Sequence, residues 1–352
     1  MINFYGDLIP TNDLKFHEDL AFHESNSINC FNLECAISLN KADEKKGTLI
    51  IEPSDVIIPT CSNLLFNLAN NHIHDAGERG ILDTIDYCIE NKISYIGAGR
   101  NLAEAQKAFF YGEYAIISFC EKNNSYLKDI CEATDVSAGV NVLTLDNVQN
   151  TLALLGCYKV IVVLHWSVEH IQTLPYHLKA MLDSITNFKN VISVVGHHPH
   201  VPQSEFIYNK VCIYPSLGNL FFPEFVILPP IKSHFTFDSK EISATTYHYH
   251  RVKVATLKKW KKINKISLIV SVFEHGSSMQ TVINEGNEVR PIKEPKRIVI
   301  LRYVTKTFNV WGKVYNIIHK TEKQTFYTYW RAYNYLNRNI NGLRRFFKGN
   351  DE

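Results

Sequence analysis

Along the first 225 positions, apolar residues come in short, nearly unbroken runs, and the runs end in polar residues. Residues 2–5 (INFY) open into Gly6-Asp7, and 28–34 (INCFNLE) end at a carboxylate. Strand material within 56–68 precedes NNHIHD at 70–75. The clearest run, VIVVL at 160–164, leads straight into His165; VISVV at 191–195 leads into GHHPH, and VCIY at 211–214 leads into a loop holding SLGN. Between these runs the period changes. Ile81, Ile85, Cys88 and Ile89 recur at helical spacing and predict a helix over 78–91. Further helices are predicted at 102–109, 147–155 and 175–186, and further strands at 93–97 and 114–119. Strands apolar on both faces, alternating with helices, predict an α/β sheet covered on both sides. From about 226 the pattern loosens: 234–275 read as β-rich, with KKWKKINK at 258–265 as a solvated turn.

The carboxyl ends of strands form the binding crevice of an open α/β sheet, so residues distant in sequence can meet there. Asp7, Glu34, Asn71, His72, His165, His198 and His200 all stand at or just beyond predicted strand ends. A buried strand end is a costly place for a polar group without a partner. Three imidazoles within four residues, at 197, 198 and 200, serve packing poorly. Mixed nitrogen and oxygen donors suit Mn, Fe, Zn or Co. They suit calcium poorly, because calcium takes an all-oxygen shell.

Composition narrows the class. With 45% hydrophobic and 20% charged residues, the 352-residue chain is globular in composition, which excludes wholesale disorder, collagen and coiled coil. The net charge of +2 conceals two regions. Residues 1–289 hold 23 basic and 31 acidic residues, whereas 290–352 hold 14 basic and 4 acidic. The 8 cysteines form no CxxC pair and read as scattered, reduced thiols, an expectation of the cytoplasm. The first residues show no basic segment followed by an apolar run, so no signal peptide is expected. No apolar stretch is long enough to predict a membrane-spanning helix.

The ordered set of motifs resembles the CapA, or poly-γ-glutamate capsule biosynthesis, family, related to calcineurin-like metallophosphoesterases. The resemblance rests on Gly6-Asp7, Asn32-Leu33-Glu34, NLANNHIHDAGERGILDTI at 67–85, GAGRNLAEA at 97–105, HWSVEH at 165–170, GHHPHV at 196–201 and YPSLGNLFF at 214–222. It covers about residues 1–225. The resemblance implies a four-layer α/β/β/α sandwich with two divalent metal ions, Mn, Fe or Zn, between the sheets. It implies that Asp7 binds one metal, that Glu34 bridges both, and that Asn71 and His165 bind the second. His198 and His200 match the family's last pair of ligands, and His72 the position of a catalytic histidine. Glu169 is implied as a ligand or as a partner of one, and His197 as a further site residue. Asn219 reads as a site residue or, equally, as part of a structural turn. The sequence departs from the phosphoesterases in lacking a histidine two residues after Asp7 and in carrying Glu34 where they have aspartate. CapA-like proteins share both features, but where they commonly have glycine this chain has Ser167.

The expected organisation is a metallophosphoesterase-like domain over 1–289 and a basic, largely helical extension over 290–352. Within the extension, Phe326, Tyr329, Trp330, Tyr333, Leu336, Ile340, Leu343 and Phe347 form one helical stripe. That stripe fits either a helix docked on the body or one lying on anionic lipid, a peripheral membrane contact through 326–347. No nucleic-acid module accompanies the charge. The expected function is a metal-dependent hydrolase of phosphomonoesters or phosphodiesters in bacterial capsule or surface-polymer biosynthesis, acting on a phosphorylated or polymeric cell-surface precursor. The alternatives are a non-hydrolytic capsule assembly or export factor, and γ-glutamyl amide-bond chemistry on the same metal site.

Overall fold

The computed structural model describes residues 1–11, 14–18, 20, 26–40, 49–59, 61, 63–122, 130–227, 256–258, 260–285, 288–305 and 315–328. Two sheets dominate. In the first, the strands Ile2–Leu8, Ile28–Leu33, Leu64–Asn67 and Ser94–Ile96 run parallel in that spatial order. In the second, Tyr114–Cys120, Lys159–His165, Val191–His197 and Val211–Tyr214 do the same. Antiparallel strands extend both edges, Phe109–Tyr111 and Phe206–Tyr208 among them.

Alternation within each strand explains the unbroken apolar runs. Ile161 and Val163 point into a core shared with Ile2, Phe4, Cys30 and Leu65 of the first sheet. Val160, Val162 and Leu164 point the other way, into a core with Val148, Leu152, Leu182 and Ile185. These come from the helices Leu145–Leu154 and Lys179–Thr186. On the first sheet, Phe31, Leu33 and Phe66 pack in one cluster with Ile81, Ile85 and Cys88 of the helix Gly77–Glu90. Burying an aliphatic or aromatic side chain is worth about 1.5–3 kcal/mol, so such strands are held from both faces.

Several sequence expectations change. The expected helix at 102–109 stops at Ala105, and the aromatic run Phe109–Tyr111 becomes an edge strand against Tyr114–Cys120. The helix expected at 175–186 divides into a tight turn at Tyr176–Leu178 and the α-helix Lys179–Thr186. Asp7 is not beyond the first strand but inside it, where the register shifts between Tyr5 and Asp7. The β-rich reading of the later chain holds where it is described: Ile266–Phe273 pairs antiparallel with Ile2–Leu8, then with Gly276–Glu285, which pairs with Glu288–Pro291. All of 234–255, and all of the aromatic stripe except Phe326, lies outside the described residues. Residues 315–328 are helical, and Tyr315 is fully buried in the core of the second sheet. No two cysteines are paired, and four of the eight are buried. Among the described residues, no helix is long and apolar enough to cross a membrane.

Candidate metal centre

Sheet register builds the site. In the first sheet, Asn219, Asp7, Asn32 and Asn67 lie side by side on adjacent strands. In the second, Cys120, His165 and His197 do the same. Except for Asn219, which opens the strand Asn219–Phe221, each row lies at or near the carboxyl ends of its strands, and the site's polar residues meet there.

The first row is an amide relay. Asn67 Nδ2 donates to Asn32 Oδ1 at 2.8 Å. Asn32 Nδ2 in turn donates to Asp7 Oδ1 at 2.8 Å and to Glu34 Oε2. One side chain thus orients both buried carboxylates. Asp7 is also placed by a close backbone approach. A Cβ on Gly6 would overlap the carbonyl oxygen of Gly218 and stand 2.5 Å from Ser267 Oγ. That carbonyl accepts the Asp7 backbone N–H at 2.9 Å. Gly218 itself sits at φ +75, where glycine is favoured.

Two groups of donors result. In one, Glu34, His165 and His198 bring ligand atoms within 4.8 Å of one another. His165 Nε2 lies 2.7 Å from Asn71 Oδ1, 3.2 Å from His198 Nδ1 and 3.4 Å from Glu34 Oε1. A ring nitrogen carries at most one proton, so hydrogen bonds cannot satisfy all of these atoms together. Glu34 Oε1 accepts no hydrogen bond, and Asn71 Nδ2 donates none, among the described residues. A cation among a carboxylate oxygen, an amide oxygen and two imidazole nitrogens would satisfy the set, so these residues fit a divalent metal. In the second group, His200 Nδ1 lies 3.0 Å from Asp7 Oδ2 and 2.9 Å from Asn219 Oδ1, and His197 Nδ1 lies 3.3 Å from Asp7 Oδ1. His198 and His200 therefore divide between the groups.

Burial and neighbouring charges set the protonation preferences of these groups. Burial, then the charge of Asp7, pushes the Glu34 carboxyl well above the usual range. Burial also opposes ionisation of Asp7, but His197 and His200 outweigh it and hold that carboxyl low. Burial pushes His198 down to about 4, and burial with the nearby His198 pushes His165 well below its ordinary value. Neutral imidazole is the form that ligates.

Strained loops carry the remaining pieces. Ser167, His170, His198 and His200 all have positive φ, at 83, 63, 94 and 55°. Such conformations cluster at functional sites. Ser167 donates its backbone N–H to Glu121 Oε2 at 2.9 Å. His170 Nε2 lies 3.7 Å from Glu169 Oε2, and Asn264 Nδ2 sits 3.0 Å from His170 Nδ1 and donates to the His200 carbonyl at 2.9 Å. His72 Nδ1 lies 2.8 Å from Asp75 Oδ2.

Sequence reasoning missed Asn32 as an orienting group, although it stood inside a quoted motif. It also missed Asp75, whose histidine–carboxylate spacing within NNHIHD was a readable signal. The turn at 258–265 is not uniformly solvated. Trp260 and Asn264 are buried, and the Trp260 ring packs 5.8 Å from His200 and 4.9 Å from Phe222. Nothing in a run rich in lysine marked that tryptophan.

The chain matches the bacterial capsule synthesis protein family PGA_cap over residues 14–224. It is 28% identical over 214 residues to the capsule biosynthesis protein CapA of Bacillus anthracis, covering 54% of this chain and 48% of that one. It is 28% identical over 173 residues to the PGA biosynthesis protein CapA of Bacillus subtilis (strain 168), covering 46% of this chain and 43% of that one. The chain thus spans about half the length of the curated relatives it matches. The family match takes in every candidate ligand except Asp7 and extends across more than half of the 352 residues. The protein therefore belongs to the PGA_cap family of bacterial capsule synthesis proteins.

Proposed function

We propose that this protein is a metal-dependent hydrolase of phosphomonoesters or phosphodiesters in capsule or surface-polymer biosynthesis. One observation carries the reading: Glu34, His165 and His198 converge with Asn71 in a buried cluster that hydrogen bonding cannot satisfy. In this reading Glu34, Asn71, His165 and His198 hold one divalent ion, and Asp7, His197, His200 and Asn219 surround a second. Mn, Fe or Zn suits both sets. The two sheets with helices packed outside them support the four-layer arrangement that the resemblance implies.

Bound divalent ions in such a site supply Lewis acidity, lowering the pKa of a water and neutralising phosphoryl oxygens. The chain's own residues do the rest. Asn32 holds both carboxylates in place. Asp75 accepts the Nδ1–H of His72 and orients the ring, so that in the doubly protonated ring Nε2–H gives its proton to the leaving oxygen and leaves the neutral Nδ1–H form. Glu169, beside His170, adds negative charge that favours cation binding.

The substrate is a phosphorylated or polymeric cell-surface precursor, met on the cytoplasmic side, with peripheral membrane contact through 326–347 as part of the same proposal. The relatives' names point to capsule and PGA biosynthesis, which also supports a second reading: γ-glutamyl amide-bond chemistry at the same metals, or a non-hydrolytic assembly role.

Metal analysis of purified protein and assays on mono- and diester substrates with added Mn test the leading reading. Bound metal and Mn-dependent turnover are expected, with His165→Ala and His198→Ala each lowering kcat by at least a hundredfold, the scale of a lost catalytic group. Absence of metal, or unchanged turnover in both variants, would sink it. Cleavage of a γ-glutamyl oligomer in place of phosphoesters would favour the second.

A further inference from the structure

A cleft of about 370 Å³ lies between the loop that follows His165 and the helical residues 315–328. Its lining includes His177, His319, Lys320 and Lys323, with Tyr176 and Val168, and, among the described residues, no carboxylate. The one acidic residue of that helix turns away: Glu322 accepts the Gln172 backbone N–H at 2.9 Å and the Thr173 hydroxyl at 2.6 Å. Glu322 thereby ties the helix to the loop and leaves the cleft to the cations. Among the described residues, neither Lys320 nor Lys323 has a carboxylate within 4 Å.

We propose that this cleft is an oxyanion subsite, binding a phosphate or carboxylate group of the substrate whose reactive unit lies at the metal centre. The placement beside the metal centre rests on the function proposed above; the anion site itself does not. Val168, which lines the cleft, is bonded to Glu169, and the same loop, which begins where the strand ends at His165, carries Ser167 and His170 to the other site. The cleft is thus walled by the segment that runs on from the candidate ligand His165. Electrostatics support the choice of an anion. Burial, then the charge of Lys323, depresses both His177 and His319, and burial depresses Lys323. The positive charge of Lys323 is felt at both imidazoles, and an anion entering beside Lys320 and Lys323 would offset it. Lysine provides this as a point charge that accepts either phosphate or carboxylate.

Calorimetry on the metal-loaded full chain tests the proposal, with inorganic phosphate in one arm and tetraglutamate in the other. The same titrations on His165→Ala/His198→Ala separate the cleft from the metals. Saturable binding of at least one probe is expected in both proteins. Lys320→Gln/Lys323→Gln should raise the dissociation constant tenfold or more, and Lys320→Arg/Lys323→Arg should restore most of it. Binding of phosphate alone assigns a phosphoryl group to the cleft; binding of tetraglutamate alone assigns the carboxylates of an acidic polymer. If the double variant does not fold, as judged by thermal melting, Lys320→Gln at the exposed position carries the test with a threefold change. No saturable binding of either probe, or equal affinity in the lysine variants, overturns the proposal. Loss of the hydrolase reading would show separately, as absent metal-dependent turnover with lysine-dependent anion binding intact.

Discussion

At the residue scale, the site is a place where ordinary preferences are violated together. Ser167 holds φ at 83°, a conformation costing a side chain with a Cβ about 1–2 kcal/mol. The family resemblance put glycine at this position, and the backbone angle supplies the reason. Ser167→Gly is therefore expected to keep or raise the melting temperature, with the relief of strain partly offset by the greater freedom of glycine when unfolded. Ser167→Val should lower it by several degrees, because branching at Cβ worsens the same clash. Equal melting temperatures for the two variants would refute the strain argument. His165, His198 and His200 were visible as candidates because two strand-end segments, 165–170 and 196–201, concentrate imidazoles. Asn32 was harder to see, since an asparagine before a carboxylate looks like any turn residue until its amide is found between two acids.

At the element scale, register does the assembly. Parallel pairing puts Asp7 beside Asn32, and Asn32 beside Asn67, so one row of a sheet carries a chain of amide and carboxylate groups. The shift between Tyr5 and Asp7 is part of this, and it requires glycine at position 6, against the Gly218 carbonyl. Gly6→Ala should destabilise the protein by about 1–3 kcal/mol, the usual range for overpacking, and displace Asp7 enough to weaken metal binding. Denaturant unfolding and metal titration would read both; an unchanged unfolding midpoint would contradict the close approach. Asn32→Ala should act more locally. Removing the donor shared by two buried carboxylates costs about 1–3 kcal/mol in the metal-free protein. Added Mn should recover part of that loss, because a cation takes over the neutralising role. The runs of strand and helix behind this arrangement were legible from apolar periodicity, except where Phe109–Tyr111, a stretch of aromatic residues, paired at a sheet edge.

At the scale of the whole molecule, chain beyond the recognised motifs is built into the body that carries the site. The strand Ile266–Phe273 pairs with the strand bearing Asp7, Trp260 packs on His200, and Tyr315 completes the core of the second sheet. Tyr315→Ala should cost about 3–5 kcal/mol, as for other fully buried aromatic residues. Little change would mean that residues 315–328 do not dock. Their docking also predicts a pH dependence. Burial, then the charge of Lys323, lowers His319 from 6.5 to about 4. The unfolded chain therefore binds this proton more readily than the folded one. The stabilising contribution is complete above 6.5 and declines as the pH falls toward 4. Unfolding midpoints measured across that window should decline less steeply in His319→Gln. Some slope should remain, since His165 and His198 are shifted in the same direction.

The sequence by itself determined the alternation of strands and helices, the strand ends at which chemistry collects, and the motifs of a capsule synthesis family. These are local properties: periodicity, turn residues and short ordered motifs are carried by neighbours along the chain. Only the tertiary structure decided that Asp7 lies within a strand rather than after it, that His198 and His200 turn toward different groups, that one asparagine orients two acids, and that a lysine-rich turn hides a tryptophan against the site. Each of these depends on contacts between residues far apart in sequence, made by register and sheet packing. The same holds for charge. The basic excess after residue 290 was countable from the sequence, but the meeting of Lys320 and Lys323 with His177 in one cleft follows from where a helix docks.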